Sequence, residues 1–370
     1  MPLIMLDDPE NTLAMLRESV AVMAARNDGA AILRRRRSAG TDMDLKVWRD
    51  MAQAGWLGLA LPEELGGAGQ GMAELAVLAE SLGRALLTEP FAMLSVFPGA
   101  LLSGLERSDA VRDLAAGIAS GEQIVPVLWQ DARGRCQPLS LSSGGLLEGE
   151  AHLVSGAASA TGFLVLARQG DTPVLLRVAA GGEGMRVHQR PGIDAATLSG
   201  VAFQGVNVAE GDVIARGAVV DAAFASAIRL TRFALAAELA GNGARALEMT
   251  VAFTKERVQF GKAIASFQAI QHRLVDMWAD AEFACAAVAN AVEALQQGGN
   301  GAAMAVLAAK ARAGDGATTI TRRAVHLHGA MGFTDQCDIG LYLKRAIALN
   351  ATLGQPEEMR LAFLDAESAT

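Results

Sequence analysis

Apolar residues recur at helical spacing through the first third of the chain. Leu13, Leu16, Val20 and Met23 form one such stripe, followed by DLKVWRDMAQAGWLGLALP and by AELAVLAESLGRAL. Gly66, Gly67, Gly69 and Gly71 lie between the last two segments. Their spacing does not match GxGxxG and no strand-turn-helix pattern surrounds them, so they predict a turn and not a dinucleotide fingerprint. Near Gln123 the pattern changes to short runs rich in Val and Leu (QIVPVLW, FLVLAR, PVLLRV, VAFQGVNV), separated by Gly, Ser, Asp and Pro. From Ala222 long helical patterns return, ending with AMAVLAAKARAGDGATTITRRAVHLHG, and their alanines permit close helix-helix approach. The expected class is α+β. It comprises an N-terminal α-helical domain (1–121), a middle β-barrel-like domain (122–215) and a C-terminal antiparallel four-helix bundle (216–370).

Composition narrows the function. The 370 residues are 51% hydrophobic and 19% charged, and 32 Lys and Arg against 40 Asp and Glu leave little to neutralise a phosphate backbone, so no nucleic-acid partner is expected. The run Arg34 to Arg37 reads as a solvated helix end. Cys136, Cys285 and Cys337 are too far apart for a CxxC pair and the histidines show no HExxH spacing, so neither a metal site nor a disulfide framework is expected. The longest apolar run, after Glu89, is broken by Pro90, Pro98 and Gly99, and MPLIMLDDPE has acids where a signal peptide has a basic flank. A cytoplasmic protein without membrane insertion is the expectation. Segments such as AEFACAAVANAVEAL carry too little charge for a wet outer face, which points to an oligomer.

Several phrases resemble the acyl-CoA dehydrogenase family. WRDMAQAGWLGLALPEELGGAG and AELAVLAESLGRALLTEPFA are similar to its helical entry region, RVQFGKAIASFQAIQHRLVDM (Arg257 to Met277) to its most distinctive bundle motif, and HLHGAMGF (His326 to Phe333) to its glycine turn. The resemblance spans nearly the whole chain and implies the acyl-CoA dehydrogenase fold. It also implies FAD held without a Rossmann domain at the junction of β domain and bundle, with its pyrophosphate and adenosine ends touched by a neighbouring subunit. Arg257 offers a permanently charged fork for a pyrophosphate, with Gln259 beside it. Phe260 supplies an apolar wall, and Gly329 with Ala330 lets the backbone approach the adenosine. Gln268 and Gln271 sit one helical turn apart, and His326 stands where the family commonly has Gln. Outside that context Arg257 reads as a surface ion-pair partner and Phe260 as core.

In the family a glutamate removes the α proton of an acyl-CoA while the β hydrogen leaves as hydride to the flavin. A carboxylate suits that task because burial raises its proton affinity. Counting without gaps from Gly332 and Phe333, the position of this glutamate falls on Leu353, followed by Gly354. The family's second location for the base falls on Arg232. The nearest carboxylates are Glu238, Glu357 and Glu358; Glu238 lies about 240° around an ideal helix from Arg232. The β domain departs too. LWQDARGRC (Leu128 to Cys136) stands where relatives carry a Thr/Ser-Glu-Pro-x-Ala-Gly-Ser type loop, and in HLVSGAAS, Leu153 and Ser155 replace a flavin-facing segment.

Losses on the reactive half, beside a better-kept adenosine half, resemble the small subunits of heteromeric acyl-CoA dehydrogenases. Examples are the pimeloyl-CoA dehydrogenase small subunit and the paired enzymes of steroid side-chain degradation. That resemblance implies an α2β2 assembly with a Glu-bearing homologous subunit, an acyl-CoA substrate and an electron-transfer flavoprotein as acceptor. Two other readings stay open at this stage: a homo-oligomeric flavoprotein with a relocated base or a different acyl-CoA reaction, and a non-catalytic binding or scaffolding homologue.

Overall fold

Helix-forming stretches capped by short polar residues build the first third of the chain. A computed structural model describes residues 1–368. It forms α1 (Thr12–Arg26), α2 (Gly29–Ala39), α3 (Leu45–Gln53), α4 (Met72–Ala85), α5 (Phe97–Ser103) and α6 (Asp109–Ala119). Asp44 caps α3 by accepting from the backbone N–H of Lys46 and Val47, and the Ser108 hydroxyl accepts from Val111 N–H to start α6. A π-helical turn, Ala92–Val96, leads into α5.

The Val- and Leu-rich runs become β1 (Val127–Leu128), β2 (Leu139–Leu141), β3 (Leu146–Ser155), β4 (Gly162–Gln169), β5 (Thr172–Ala179), β6 (Met185–Pro191), β7 (Thr197–Asn207) and β8 (Val213–Arg216). Their order in the sheet is β6-β7-β3-β2-β4-β5-β8, with β1 also paired to β4. The β1–β4 and β2–β4 pairings are parallel and the others antiparallel. Phe163, Val165, Leu147, Val201 and Phe203 fill the core beneath it. The edge strand β6 is almost wholly exposed, and its Arg186 and Arg190 oppose strand addition by another chain.

The last third forms α7 (Ala218–Glu256), a hairpin of β9 (Val258–Gln259) and β10 (Lys262–Ala263), α8 (Gln268–Gln297), α9 (Asn300–His328), α10 (Ile339–Ala351) and α11 (Pro356–Ser368). Residues Phe233 to Ala240 of α7 are buried without interruption, so this stretch of the helix is encased on every side. Glycines make that possible. A Cβ on Gly83 of α4 would come 2.1 Å from the Glu238 carbonyl oxygen, and one on Gly241 would come 2.0 Å from that of Glu80.

The chain divides into two units. A helical unit gathers Met1–Ile32, Met72–Thr88 and the chain from Arg232 onward; a sheet unit comprises Leu33–Gly71 and Glu89–Thr231. Within the helical unit, Glu80 accepts from the Ile4 backbone N–H at 3.0 Å and pairs with Arg17. Within the sheet unit, the expectation of a solvated arginine run fails at Arg36. Its side chain is buried and pairs with Glu89, whose own burial pushes its carboxyl pKa up.

Candidate functional site

The residues singled out from the sequence fall at two places in the helical unit. At the first, α7 ends one residue before Arg257 and the chain folds into the β9–β10 hairpin, with Gln259 opposite Lys262. The loop residues Phe260 and Gly261 have φ of 54° and 78°, the left-handed pair of a two-residue hairpin loop. Phenylalanine is strained there, and its ring is 91% exposed, meeting Phe267 edge-on at 6.1 Å. Phe260 is therefore not a core residue. Arg257 and Gln259 are exposed, and their side chains form no hydrogen bond or ion pair among the described residues. Gln268 is exposed at the start of α8, whereas Gln271 donates to the Ala265 carbonyl at 3.0 Å.

The rings of Phe253 and His328 stack at 4.3 Å, bringing the C-terminal ends of α7 and α9 together. The hairpin and the Gly329–Phe333 turn consequently share one end of the unit. His328 Nδ1–H donates to the Ala324 carbonyl at 2.8 Å, and burial lowers the ring's proton affinity. At the turn, Gly329 has φ of 62° and a Cβ there would meet nothing within 4 Å. Ala330, Met331 and Phe333 are exposed, as is His326 in the last turn of α9. The sequence reading did not find Phe253 or His328, although the i, i+2 pair of histidines at 326 and 328 was visible.

The second place is the turn after α10. Leu353 is buried with φ of 56°, and Gly354 follows with φ of 108°. Arg232, half-buried on α7, donates from Nε to the Leu353 carbonyl at 2.9 Å. Lys310 of α9 is fully buried and donates from Nζ to the carbonyls of Leu349, Asn350 and Gly354 at 3.1–3.2 Å. It caps the negative end of α10. Burial, reinforced by the neighbouring Arg232 charge, brings the Lys310 pKa down to about 7. Sequence reasoning missed this lysine; the signal was a lysine set within the apolar run AMAVLAAK.

Of the three candidate carboxylates, Glu238 and Glu358 have other partners. Glu238 is buried against Arg345 of α10, with Nε and Nη2 at 2.9 and 2.6 Å from Oε1. Glu358 is exposed and accepts from the Gln355 backbone N–H at 3.0 Å, closing the first turn of α11 behind Pro356. Glu357 is exposed beside it.

The comparisons with known proteins match these elements. Residues 10–103 match the acyl-CoA dehydrogenase N-terminal domain and residues 222–366 match the acyl-CoA dehydrogenase C-terminal domain. The acyl-CoA dehydrogenase IpdE2 of Mycobacterium tuberculosis is 30% identical over 95% of this chain and 96% of its own length. The chain belongs to the acyl-CoA dehydrogenase family. IpdE2 of Mycolicibacterium smegmatis is 28% identical, covering 95% of this chain and 97% of that one. Among solved structures, a variant of the Tcur3481-Tcur3483 steroid ACAD superposes with a TM-score of 0.85 at 28% identity, over 96% of this chain and 98% of that one. The ChsE4-ChsE5 complex from Mycobacterium tuberculosis shares the fold with a TM-score of 0.88, 23% identity and coverage of 99% and 100%.

In this member of a family of flavin-dependent oxidoreductases, the two places differ in what they present. The hairpin and glycine turn present free polar groups and bare aromatic rings, whereas the turn at Leu353 presents two cations and an aliphatic side chain. In the sheet unit, the segment Leu128 to Cys136 is a tight loop closed by a bridge between Gln130 and Cys136. Asp131 accepts from the backbone N–H of Arg135 and Arg133 and pairs with the Arg135 guanidinium, which together hold its carboxyl at about 2. Gln130 Nε2 donates to the carbonyls of His152 and Leu153. Leu153 is exposed with φ of 56°, and Ser155 is half-buried at the end of β3. No helix among the described residues is long and apolar enough to cross a membrane.

Proposed function

We propose that this chain is the subunit without a catalytic glutamate in a heteromeric acyl-CoA dehydrogenase, an α2β2 assembly with a Glu-bearing homologue that passes electrons to an electron-transfer flavoprotein. The observation that carries this reading is the occupancy of the reactive turn. Leucine at 353 has no proton acceptor, and Arg232, at the family's alternative base position, is bonded to that leucine's carbonyl. Glu238, the nearest carboxylate on the same helix, is held by Arg345.

FAD fits the opposite end of the unit. Arg257 and Gln259 offer unpartnered donors to a pyrophosphate, Phe260 and Phe333 offer bare rings, and the open surface over Gly329 admits an adenosine. When bound, the flavin accepts the hydride leaving the acyl chain. Arg257, Gln259, Phe260 and the 326–330 turn would hold the flavin of a paired subunit, as the family resemblance implies. Two structural relatives are named as paired chains, the ChsE4-ChsE5 complex and the Tcur3481-Tcur3483 steroid ACAD, which supports a paired assembly here and a ring-bearing or otherwise unusual CoA ester as substrate.

The test is flavin content. The chain purified alone is expected to hold little FAD and to turn over no acyl-CoA, and coexpression with a Glu-bearing homologue is expected to restore both. Stoichiometric FAD and turnover in the lone chain would refute the reading.

A further inference from the structure

In the helical unit, partly or fully buried arginines meet carboxylates: Arg17 with Glu80, Arg84 with Glu248, Arg312 with Asp280 and Arg345 with Glu238. Arg232 does not. Among the described residues its guanidinium forms no ion pair, and its hydrogen bond runs from Nε to a backbone carbonyl. The two terminal amino groups, the edge of the fork that matches a carboxylate in bidentate fashion, have no protein partner among those residues. Arg232 is half-buried, and its terminal nitrogens are not among the fully enclosed side-chain atoms left without a partner.

The surroundings add to the positive potential. The Arg232 charge is close enough to disfavour that of Lys310, which too meets carbonyl oxygens and no carboxylate among the described residues. Glu358 is the acid whose charge reaches both, and it is exposed, with Oε2 engaged by the Gln355 N–H. Two neighbouring cations removed from water with one screened counter-charge are costly unless a further anion completes the set.

We propose that Arg232 is a carboxylate-binding residue: the turn at Leu353, with no base to drive turnover, forms a non-reactive site for a carboxylate, carried either on the acyl chain of a CoA ester or by a free dicarboxylate. Lys310 supports it from behind by holding the turn and contributing charge. The site belongs to this chain's own residues and stands whether or not the chain is paired.

Calorimetric titration of the full chain with glutaryl-CoA, pentanoyl-CoA and free glutarate decides it. The two esters have the same chain length and differ in the terminal carboxylate. Glutaryl-CoA is expected to bind at least roughly tenfold more tightly than pentanoyl-CoA, with a preference that weakens as salt rises. Arg232→Met should abolish the preference while leaving pentanoyl-CoA binding in place, Arg232→Lys should keep part of it, and Glu358→Gln, which retains an oxygen acceptor for the Gln355 N–H, should strengthen it. Glutarate binding that disappears in Arg232→Met would establish the free acid as the source, and glutarate that does not bind would establish the CoA ester. Equal affinity of the two esters for the wild-type chain, a preference that survives Arg232→Met, or no binding of any probe would overturn the proposal. If Arg232→Met does not fold, the wild-type comparison and Glu358→Gln still decide. Flavin content is read separately, so failure of the paired-subunit reading leaves this result intact.

Discussion

The Nε–H of Arg232 donates to the Leu353 carbonyl at 2.9 Å, fixing a guanidinium beside the backbone of the residue we propose to stand where the family places its base. A carboxylate introduced at this position would not behave as the family's glutamate does. A cation alongside favours the ionised form, lowers the pKa and weakens the proton acceptor. In a flavin-loaded complex whose partner has its own catalytic glutamate replaced by glutamine, Leu353→Glu is expected to leave solvent deuterium incorporation at the Cα of butyryl-CoA near background. Leu353→Glu combined with Arg232→Ala is expected to raise it at least roughly tenfold. Equal exchange by the single and double variants would show that Arg232 does not govern the position.

The buried Glu238–Arg345 pair makes a prediction about stability. Removing one partner leaves an uncompensated charge in the interior, so Glu238→Ala or Arg345→Met should each cost about 3–5 kcal/mol in urea unfolding. The double variant Glu238→Leu with Arg345→Met should cost less than the two single losses added together. A loss of activity with unchanged unfolding would instead assign Glu238 a chemical role.

The crossing of α4 and α7 depends on two missing side chains. Gly83→Ala and Gly241→Ala drive a methyl group into a carbonyl oxygen on the opposing backbone, so each should lower stability by about 1–3 kcal/mol or more. Gly182→Ala, where a Cβ meets nothing within 4 Å, is the control and should shift stability by less than about 0.5 kcal/mol.

Lys310 gives a pH signature. Its pKa in the folded chain, about 7, lies below the unfolded value, so between the two the unfolded chain binds more protons and stability rises with pH. The charged form is a full burden below pH 7, and the burden is relieved as pH climbs from about 7 towards about 10.4, with a slope of up to about one proton. Lys310→Met should remove that rise in unfolding midpoints measured across the window. Arg232→Met, by withdrawing the neighbouring charge, should move its onset to higher pH.

The succession of helices, strands and long helices was legible because apolar spacing is a local property. The residues Arg257 to Phe260 and Gly329 were legible as a cluster through the resemblance they carry. Non-local pairings were not. Nothing in the sequence near Glu238 announces Arg345, which is brought to it by the packing of α10 on α7. A lone lysine in a helix reads as solvated, so Lys310 went unnoticed, as did the burial of Arg36 against Glu89. The aromatic at 260 reads as core until the left-handed hairpin loop turns it outward.

The helical unit is assembled from three stretches that are far apart in the chain. The backbone of Ile4 bonds to Glu80, and the glycine faces of α4 rest on α7, which emerges only after the whole sheet-bearing stretch has been synthesised. During translation α1 and α4 can pack on each other, but the glycine face of α4 stays uncovered until α7 arrives. A chain truncated anywhere before Arg232 never supplies the backbone that this face of α4 was shaped to meet.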